Sequence, residues 1–446
     1  MDELKTILSE LIAAKDIEAI KELFTERNIV TIAEAVGDLT VEEAVFLFKV
    51  LPVDDSADLF AYLPIEKQQK LVQLLTSSQL KGILEHVYTD DIVDFLQELP
   101  SALVKDLLKN TTKENREEIN RLLSYPDSSA GSIMTTDYVE LKDEDTVAQA
   151  MEKIQVTGRQ AEEVNQCFVL DDYGALLGLV SLRDILFAPE EEKISELIQE
   201  DVVKVYTLDD QEEVSRIMRR YDVTMVPVLD KSQRLVGMIT ADDIIDIMEE
   251  EATEDIHKMA GVSSIDGSYL QTTSWQMARN RLTWLLLLMV SYAFSSMIIT
   301  ANSHLLTALP TLMTFVPMLM DTSGNAGSQA LAMVVRGIVV DDLTIKDFFK
   351  VLWKEFQVAL ICGVILFAVN ILRIILFTKA GFDMAFVVSL SVFLVVLTAK
   401  LVGGLLPLLA LFFKQDPAAM ASPLITTCCD ALSLTIYFTL ATRLLF

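Results

Sequence analysis

The sequence predicts a multidomain chain: an all-α superhelical N-domain, two copies of an α/β module, a long connecting helix and a transmembrane domain of five α-helices. Three observations predict this division. A turn pattern recurs every twelve residues in the first third, a 59-residue repeat fills the middle, and the last third holds apolar runs long enough to cross a bilayer. The predicted boundaries are 1–127, 128–190, 191–250, 251–275 and 276–446.

Charge is distributed very unevenly along the 446 residues. Residues 276–446 hold 11 basic and 8 acidic side chains, whereas the residues before them hold 25 and 57, a net charge of −32. Such a negative potential repels nucleic acid and attracts cations, so we expect no nucleic-acid partner. The N-terminus lacks the basic and apolar regions of a signal peptide, which predicts that the acidic part stays in the cytoplasm.

The side chains that would support catalysis or disulfides are sparse. The four cysteines show neither zinc spacing nor a disulfide framework, which is typical of a reducing compartment. No nucleophile–base pair and no glycine-rich phosphate loop is apparent. We therefore expect that the protein is not an enzyme.

The first third carries a repeated Leu-Pro pattern. The spacing between these pairs is a multiple of twelve residues: they are Leu51-Pro52, Leu63-Pro64 and Leu99-Pro100. One short helix with a turn fits twelve residues. Asp90 and Asp94 are predicted to be exposed and one turn apart on a helix face. Two interpretations stay open for them: a cation site, or acidic residues that complement the N-terminus of their helix.

The middle third contains two copies of one module. VLDDYGALLGLVSLRDIL from Val169 matches VLDKSQRLVGMITADDII from Val228, and each copy predicts a strand, a turn, a strand and a helix. This resembles a tandem pair of cystathionine-β-synthase (CBS) domains. Such pairs often bind adenosine nucleotides such as ATP, and the resemblance implies that four residues would contact ribose: Ser181, Asp184, Thr240 and Asp243. Fold likeness alone does not establish that binding, so a pair without nucleotide stays open.

The second copy continues into the acidic segment 242–262, DDIIDIMEEEATEDIHKMAGV. Like charges four residues apart destabilise an isolated helix, so this helix needs bound cations or a basic partner. Oxygen ligands of this kind suit hard divalent cations. The alternative is a solvated linker helix.

Five apolar runs follow, and each is long enough to span a bilayer. They are Trp284–Thr300, Leu305–Val340 (broken around 321–329), Phe356–Phe377, Met384–Phe413 and Pro417–Phe446. Basic residues concentrate before the first run and in the second and fourth connections. This predicts a multi-pass protein of the cell membrane with the N-terminus in the cytoplasm and the C-terminus outside.

Two carboxylates stand inside these runs. Asp321 lies in PMLMDTSGNAGSQ, and Asp430 follows Ser422-Pro423 in the last run. A carboxylate at bilayer depth costs about 2.5–3.5 kcal/mol on insertion scales and commonly marks an ion path. The alternatives are a small-residue helix contact with Asp321 at the water interface, and a buried pair of Asp430 with a basic residue, Arg373 or Lys400.

Together, the acidic helical N-domain, the CBS pair and the motifs PMLMDTSGNAGSQ and DPAAMASPLITTCCD closely resemble the MgtE family of magnesium channels. The resemblance implies a homodimer whose pore lies between the second and fifth membrane helices, with Asp430 as the pore carboxylate. It implies that 242–262 is a plug helix and that cytosolic Mg²⁺ closes the pore. The implied sensor ligands are Asp90, Asp94, Asp243, Asp246, Glu251, Glu254 and Asp255.

The resemblance leaves transport of Co²⁺ or Mn²⁺ open. The alternative function is a nucleotide-regulated secondary transporter of another divalent cation. That class would need paired intramembrane acids or an inverted repeat, and the sequence shows no convincing inverted repeat.

Overall fold

The computed structural model describes residues 2–108, 111–263, 269–270, 272–378, 380–418 and 422–446. The chain forms two compact units, Met1–Glu249 and Glu250–Phe446. The first unit begins with ten helices: α1 Asp2–Ala14, α2 Ile17–Glu26, α3 Ile29–Gly37, α4 Val41–Val50, α5 Val53–Ala61, α6 Ile65–Leu74, α7 Ser77–Leu84, α8 Thr89–Gln97, α9 Ser101–Leu108 and α10 Lys113–Leu122.

The twelve-residue spacing governs this whole array. Every helix from α3 to α10 begins twelve residues after the start of the previous one, so the repeat starts earlier than the sequence pattern suggested. In α4 and α7 the side chain of the residue before the start caps the helix, whereas the prolines before α5 and α6 make no side-chain cap hydrogen bond. Thr40 and Thr76 form capping boxes, and Pro52 and Pro64 stand at the same position with a φ that suits a helix start.

The array is held by a shared apolar core. Phe60 packs edge-to-face against Phe95 with ring centroids 5.1 Å apart, and against Phe48 at 6.4 Å. The same core continues into the second α/β module, where it includes Val205 and Ile247. The helical array and that module are therefore one packed block.

The two modules have matching sheets. The first contains β1 Tyr138–Lys142, α11 Val147–Thr157, β2 Glu163–Leu170, β3 Leu176–Ser181 and α12 Leu182–Phe187; the second contains β4 Val205–Tyr206, α13 Gln211–Tyr221, β5 Met225–Leu229, β6 Leu235–Thr240 and α14 Ala241–Met259. In each sheet the first two strands are parallel and the last two antiparallel. This confirms the predicted repeat.

Each module also contributes backbone to the sheet of the other. Thr135, ahead of β1, exchanges two backbone hydrogen bonds of 2.9 Å with Met238 of β6. Gln199 likewise exchanges two with Leu179 of β3, at 2.9 and 3.1 Å. The repeat-related glycines allow these crossings. A Cβ on Gly178 would lie 2.5 Å from the Gln199 carbonyl oxygen, and a Cβ on Gly237 would lie 2.8 Å from that of Thr135.

The second unit contains six further helices: α15 Ser274–Ala301, α16 Ser303–Ala308, α17 Val316–Val340, α18 Phe348–Phe377, α19 Phe382–Phe412 and α20 Ser422–Leu445. Among the described residues, four stretches are long and apolar enough to cross a membrane: Ser274–Ala301, Ile345–Phe377, Phe382–Phe412 and Pro423–Leu445. The fifth long helix, α17, has 25 residues and carries Asp321 and Arg336. These five long helices agree with the predicted transmembrane domain.

The predicted break around 321–329 is wrong. Helix α17 runs without interruption through this segment, and the chain instead breaks before it, in α16 and a 3-10 helix at Pro310–Phe315. Pro317 lies in the first turn of α17, where its missing N–H breaks no hydrogen bond. The glycines do not loosen the helix because neighbouring helices pack closely against them.

Candidate functional site

Three carboxylates converge in the first unit. Asp90 lies in the first turn of α8, Glu162 directly precedes β2, and Asp243 lies in the first turn of α14; one oxygen of each lies within 4.8 Å of the others. Asp90 is only 7% exposed, so the prediction that it faces solvent is wrong. The Asp90 side chain is buried because α8 packs the face that carries it against the α/β modules, which contribute Glu162 and Asp243.

The cluster contains unused hydrogen-bond acceptors. Asp90 Oδ1 and Glu162 Oε2 are buried and have no hydrogen-bond partner among the residues that the structure describes. Asp243 Oδ2 accepts a 2.7 Å hydrogen bond from the Thr240 hydroxyl. Buried acceptors without donors are rare in native proteins, so these two oxygens are suited to bind a cation or to hold protons.

Proton affinity is raised throughout the cluster. Burial, and then the neighbouring charge of Glu162, raise the pKa of Asp90 well above its ordinary value. Burial, followed by the charge of Asp243, raises the pKa of Glu162 to about 7. Burial also raises the pKa of Asp243. A divalent cation with oxygen ligands would replace these protons and remove the repulsion.

More acidic residues surround the cluster. Burial is the largest cause that raises the pKa of Tyr62, and the charges of Asp242 and Asp246 raise it further. The charge of Asp246 also raises the pKa of Asp243. Burial raises the pKa of Asp91 to about 6, with Asp243 as the next cause. Asp246 therefore lies in the same electrostatic region as the three-carboxylate cluster.

The remaining predicted ligands lie elsewhere on their helices. Asp94 is exposed on α8 and is not part of the three-carboxylate cluster, which joins three elements. Glu251, Glu254 and Asp255 lie on α14 beyond the boundary of the first unit. There Glu254 forms an ion pair with Lys258, with Oε1 and Nζ 2.7 Å apart.

Sequence reasoning missed Glu162. It stands in the plain stretch AEEVNQ, with no motif around it, and it joins the site only because the sheet brings it beside α14. The one available signal was a pair of glutamates directly before an apolar strand.

The predicted nucleotide residues serve as local caps. Ser181 Oγ donates to Asp184 at 2.9 Å and caps α12, and Thr240 makes the equivalent bond to Asp243. Asp243 faces two other carboxylates, a setting that repels phosphate. A separate cavity of about 260 Å³ is lined by residues of both modules: Gln166, Leu179, Gln199, Asp201, Val202, Val203, Asp222, Val223, Thr224 and Met225. None of the four predicted residues lines this cavity.

In the second unit, Asp430 lies half-buried where α17 meets α20. The Ser323 hydroxyl lies 3.3 Å from Asp430 Oδ1 and can donate to it, and Asp321 is near enough to act on it electrostatically. Among the described residues, Asp430 has no ion pair with the predicted alternatives. Arg373 instead donates to Asn370 Oδ1 at 2.9 Å, and the buried Lys400 lines a different cavity.

Small residues allow this close approach of helices. A Cβ on Gly324 would lie 2.9 Å from Thr426, and a Cβ on Gly327 would lie 2.8 Å from Ile425. The small-residue contact weighed from sequence is therefore present, together with the carboxylate. Asp321 itself is exposed and lines a cavity of about 430 Å³ with Asn325, Gln329 and Lys400.

Family models match most of the chain. Residues 316–440 match a divalent cation transporter family, MgtE; residues 27–128 match the MgtE intracellular N domain; and residues 130–191 and 194–250 match CBS domains.

Individual relatives agree with these matches. The chain is 36% identical to a magnesium transporter MgtE of Thermus thermophilus over 80% of its own length and 79% of the relative, and 33% identical to that of Bacillus subtilis over 79% and 78%. A crystal structure of the soluble part of a magnesium transporter is similar at 31% identity with a TM-score of 0.54, covering 56% of this chain and 99% of that one. The cytosolic domain of the Mg²⁺ channel MgtE in complex with ATP is similar at 31% identity and a TM-score of 0.51, covering 55% and 99%.

Proposed function

Because this chain belongs to the MgtE family of magnesium transporters, we propose that it carries Mg²⁺ across the cell membrane through its helical second unit and is closed by cytosolic Mg²⁺ bound to its acidic first unit. The comparisons support magnesium transport and not the nucleotide-regulated secondary transporter of another cation. We expect no enzymatic activity, because the relatives are transporters.

The ion path is proposed at Asp430. A half-buried carboxylate on a membrane helix, with one hydroxyl donor and no ion-pair partner among the described residues, suits a cation that keeps most of its waters. The contact of α17 with α20 at Gly324 and Gly327 brings the backbones close to this carboxylate. The single observation that carries the transport proposal is this placement of Asp430 in a family-specific helix pair.

Mg²⁺ influx into liposomes that hold the purified protein tests this. Asp430→Asn should lower the flux at least about tenfold, because one charge-assisted contact is worth roughly that factor. Asp383→Asn is the matched control, since Asp383 is exposed in the first turn of α19. Equal flux in both variants and the wild type would place the ion site elsewhere.

Closure is proposed to depend on the three-carboxylate cluster. Asp90 belongs to the helical array and Asp243 to α14, which extends past the unit boundary at Glu249, so a cation between them would fasten the array to that helix. A ligand favours one state only through its higher affinity for it, and the unpaired buried oxygens supply that difference. Asp94, Asp246, Glu251, Glu254 and Asp255 remain proposed further ligands.

The flux assay with Mg²⁺ on the side of the first unit tests closure. Asp90→Asn should raise the Mg²⁺ concentration at half-closure by about tenfold or more, the value of one lost charged ligand contact. Asp127→Asn, at an exposed position outside the cluster, should behave as the wild type. An unchanged half-closure in Asp90→Asn would remove the cluster from the sensor.

A second candidate function is nucleotide binding, favoured by the related cytosolic domain solved with ATP. We propose that the nucleotide binds in the 260 Å³ cavity, because Asp201 and Asp222 line it and their carboxylates could accept hydrogen bonds from ribose hydroxyls. Equilibrium dialysis with ATP tests this: Thr224→Trp should abolish binding by filling the cavity, and Ser181→Ala should retain it. The opposite result would restore the predicted cap residues as the nucleotide site.

Assembly and orientation follow the same resemblance. We propose a homodimer with the first unit in the cytoplasm and the C-terminus outside. Cross-linking of the detergent-solubilised protein and protease accessibility of a C-terminal tag test these two points. Competition of Co²⁺ and Mn²⁺ with Mg²⁺ flux tests whether these ions are also carried.

A further inference from the structure

A lysine joins the end of α14 to the segment before α20. Lys258 Nζ lies 2.7 Å from Glu254 Oε1, one turn earlier on the same helix, and 2.7 Å from Asp416 Oδ2 in the connection between α19 and α20. Burial acts to lower the pKa of Lys258, but the hydrogen bonds to Asp416 and Glu254 outweigh it and raise the pKa above its usual value. The ammonium therefore stays charged between the two carboxylates.

The backbone at the same place also contacts α20 and α15. Helix α14 ends at Met259, and the φ of 68° at Gly261 just beyond it lets Val262 N donate to the His257 carbonyl at 2.9 Å. A Cβ on Gly261 would lie 2.9 Å from Pro423 of α20. Two residues later, Ser263 N donates to the Asn280 carbonyl of α15 at 3.3 Å. The end of the acidic helix is thus seated directly on the start of the helix that carries Asp430.

The arrangement has the composition of a small cation site. Two carboxylates from separate segments face one positive charge, which is what a divalent ion would provide. An ammonium on the chain differs in one respect: it cannot leave when the ion concentration falls. Glu254, which the family resemblance implies as a Mg²⁺ ligand, already has this partner.

We propose that Lys258 is a positioning residue that fastens the end of α14 to the segment before α20 through its ion pair with Asp416. The contact then holds at every cytosolic Mg²⁺ concentration, and a displacement of α14 is passed to α20. This rests on the proposed function, because closure by Mg²⁺ is the signal that the contact transmits.

The flux assay separates transmission from conduction. Lys258→Gln should raise the Mg²⁺ concentration at half-closure about tenfold, the effect of one lost charged contact, while flux without internal Mg²⁺ stays at the wild-type level. Lys258→Arg should close normally. The exchanged pair Lys258→Asp with Asp416→Lys keeps two carboxylates and one ammonium at the contact, and it should restore closure that either single change impairs.

Three results would overturn the proposal. These are a wild-type half-closure in Lys258→Gln, an equal loss of flux without internal Mg²⁺, and a failure of the exchanged pair to restore closure although the protein assembles normally. If the wild type itself does not close with Mg²⁺, the proposed function fails, and hydrogen exchange still decides this inference. Exchange at residues 257–263 should rise in Lys258→Gln and not in Lys258→Arg; equal exchange in both would remove Lys258 from the contact.

Discussion

At the residue scale, the buried carboxylates link protons and cations. Asp90 and Glu162 share a site where both cannot be ionised without a large repulsion. In water each would be ionised at neutral pH, but burial makes the native state hold protons that the unfolded chain releases. A divalent cation and a proton therefore compete for the same oxygens.

We expect the Mg²⁺-free first unit to lose stability as pH rises. Folded pKa values are raised, to about 6 for Asp91 and about 7 for Glu162. The stabilisation is complete below the unfolded pKa values and disappears as pH passes through about 6 to 7. Protection factors, which are hydrogen-exchange rates corrected for the base-catalysed intrinsic rate, should be lower for α8 and α14 at pH 8 than at pH 5.5 in the full-length protein with EDTA, and Mg²⁺ should raise them mainly at pH 8.

The change Glu162→Gln should flatten this dependence. The amide removes one charge from the crowded site, so exchange in EDTA at pH 8 should slow, while protection by Mg²⁺ weakens. Glu163→Gln is the matched control, because Glu163 stands next in the chain and its Oε1 accepts a hydrogen bond from the backbone of Asn165 instead. Identical exchange profiles for the two variants would contradict the assignment of Glu162.

At the element scale, helix contacts in the second unit depend on glycine. A Cβ on Gly403 of α19 would lie 2.1 Å from the Gly327 carbonyl oxygen of α17, a contact that only a backbone shift could relieve. Gly403→Ala should therefore destabilise the detergent-solubilised protein by about 1–3 kcal/mol, the usual cost of overpacking. Gly381→Ala is the control, since among the described residues no atom beyond its chain neighbours lies within 4 Å of a Cβ built there. Equal urea midpoints for the two variants would show that α17 and α19 separate easily.

Elements differ in how far the sequence predicted them. Helix starts in the array follow from local capping and from Leu-Pro pairs, so their spacing could be read directly. The continuity of α17 could not, because Pro317 and the glycines permit either a break or a tight contact. Only the neighbours at Thr426 and Ile425 decide between them. Asp90 could be identified from the sequence because it lies at the start of an acidic helix. Glu162 could not, because it reaches the site only when the sheet forms.

At the scale of the whole molecule, the first unit behaves as one block despite three predicted domains. Its core runs from the helical array into the second module, and the modules exchange backbone pairs at Thr135 and Gln199. A change in one module should therefore reach the array. The second unit has its own core, formed by residues of α17, α19 and α20 among others.

The crossing glycines test this unity. Gly237→Ala brings a Cβ to 2.8 Å from the Thr135 carbonyl oxygen and should speed hydrogen exchange in β6 and also in α8 of the array. Gly82→Ala meets only Val53 at 3.6 Å and should leave both unchanged or slower, because alanine favours helix. Exchange that rises in β6 alone would divide the unit into independent domains.

The shared core also constrains folding during synthesis on the ribosome. The array is complete at Leu122, yet apolar partners such as Ile244 and Ile247 are made more than a hundred residues later. At about 5–20 residues per second, the nascent helices wait roughly 6–25 s with that surface uncovered. A ribosome-bound nascent chain that is arrested before α14 should therefore bind chaperones. The chain should be released from the chaperones once α14 emerges from the ribosome.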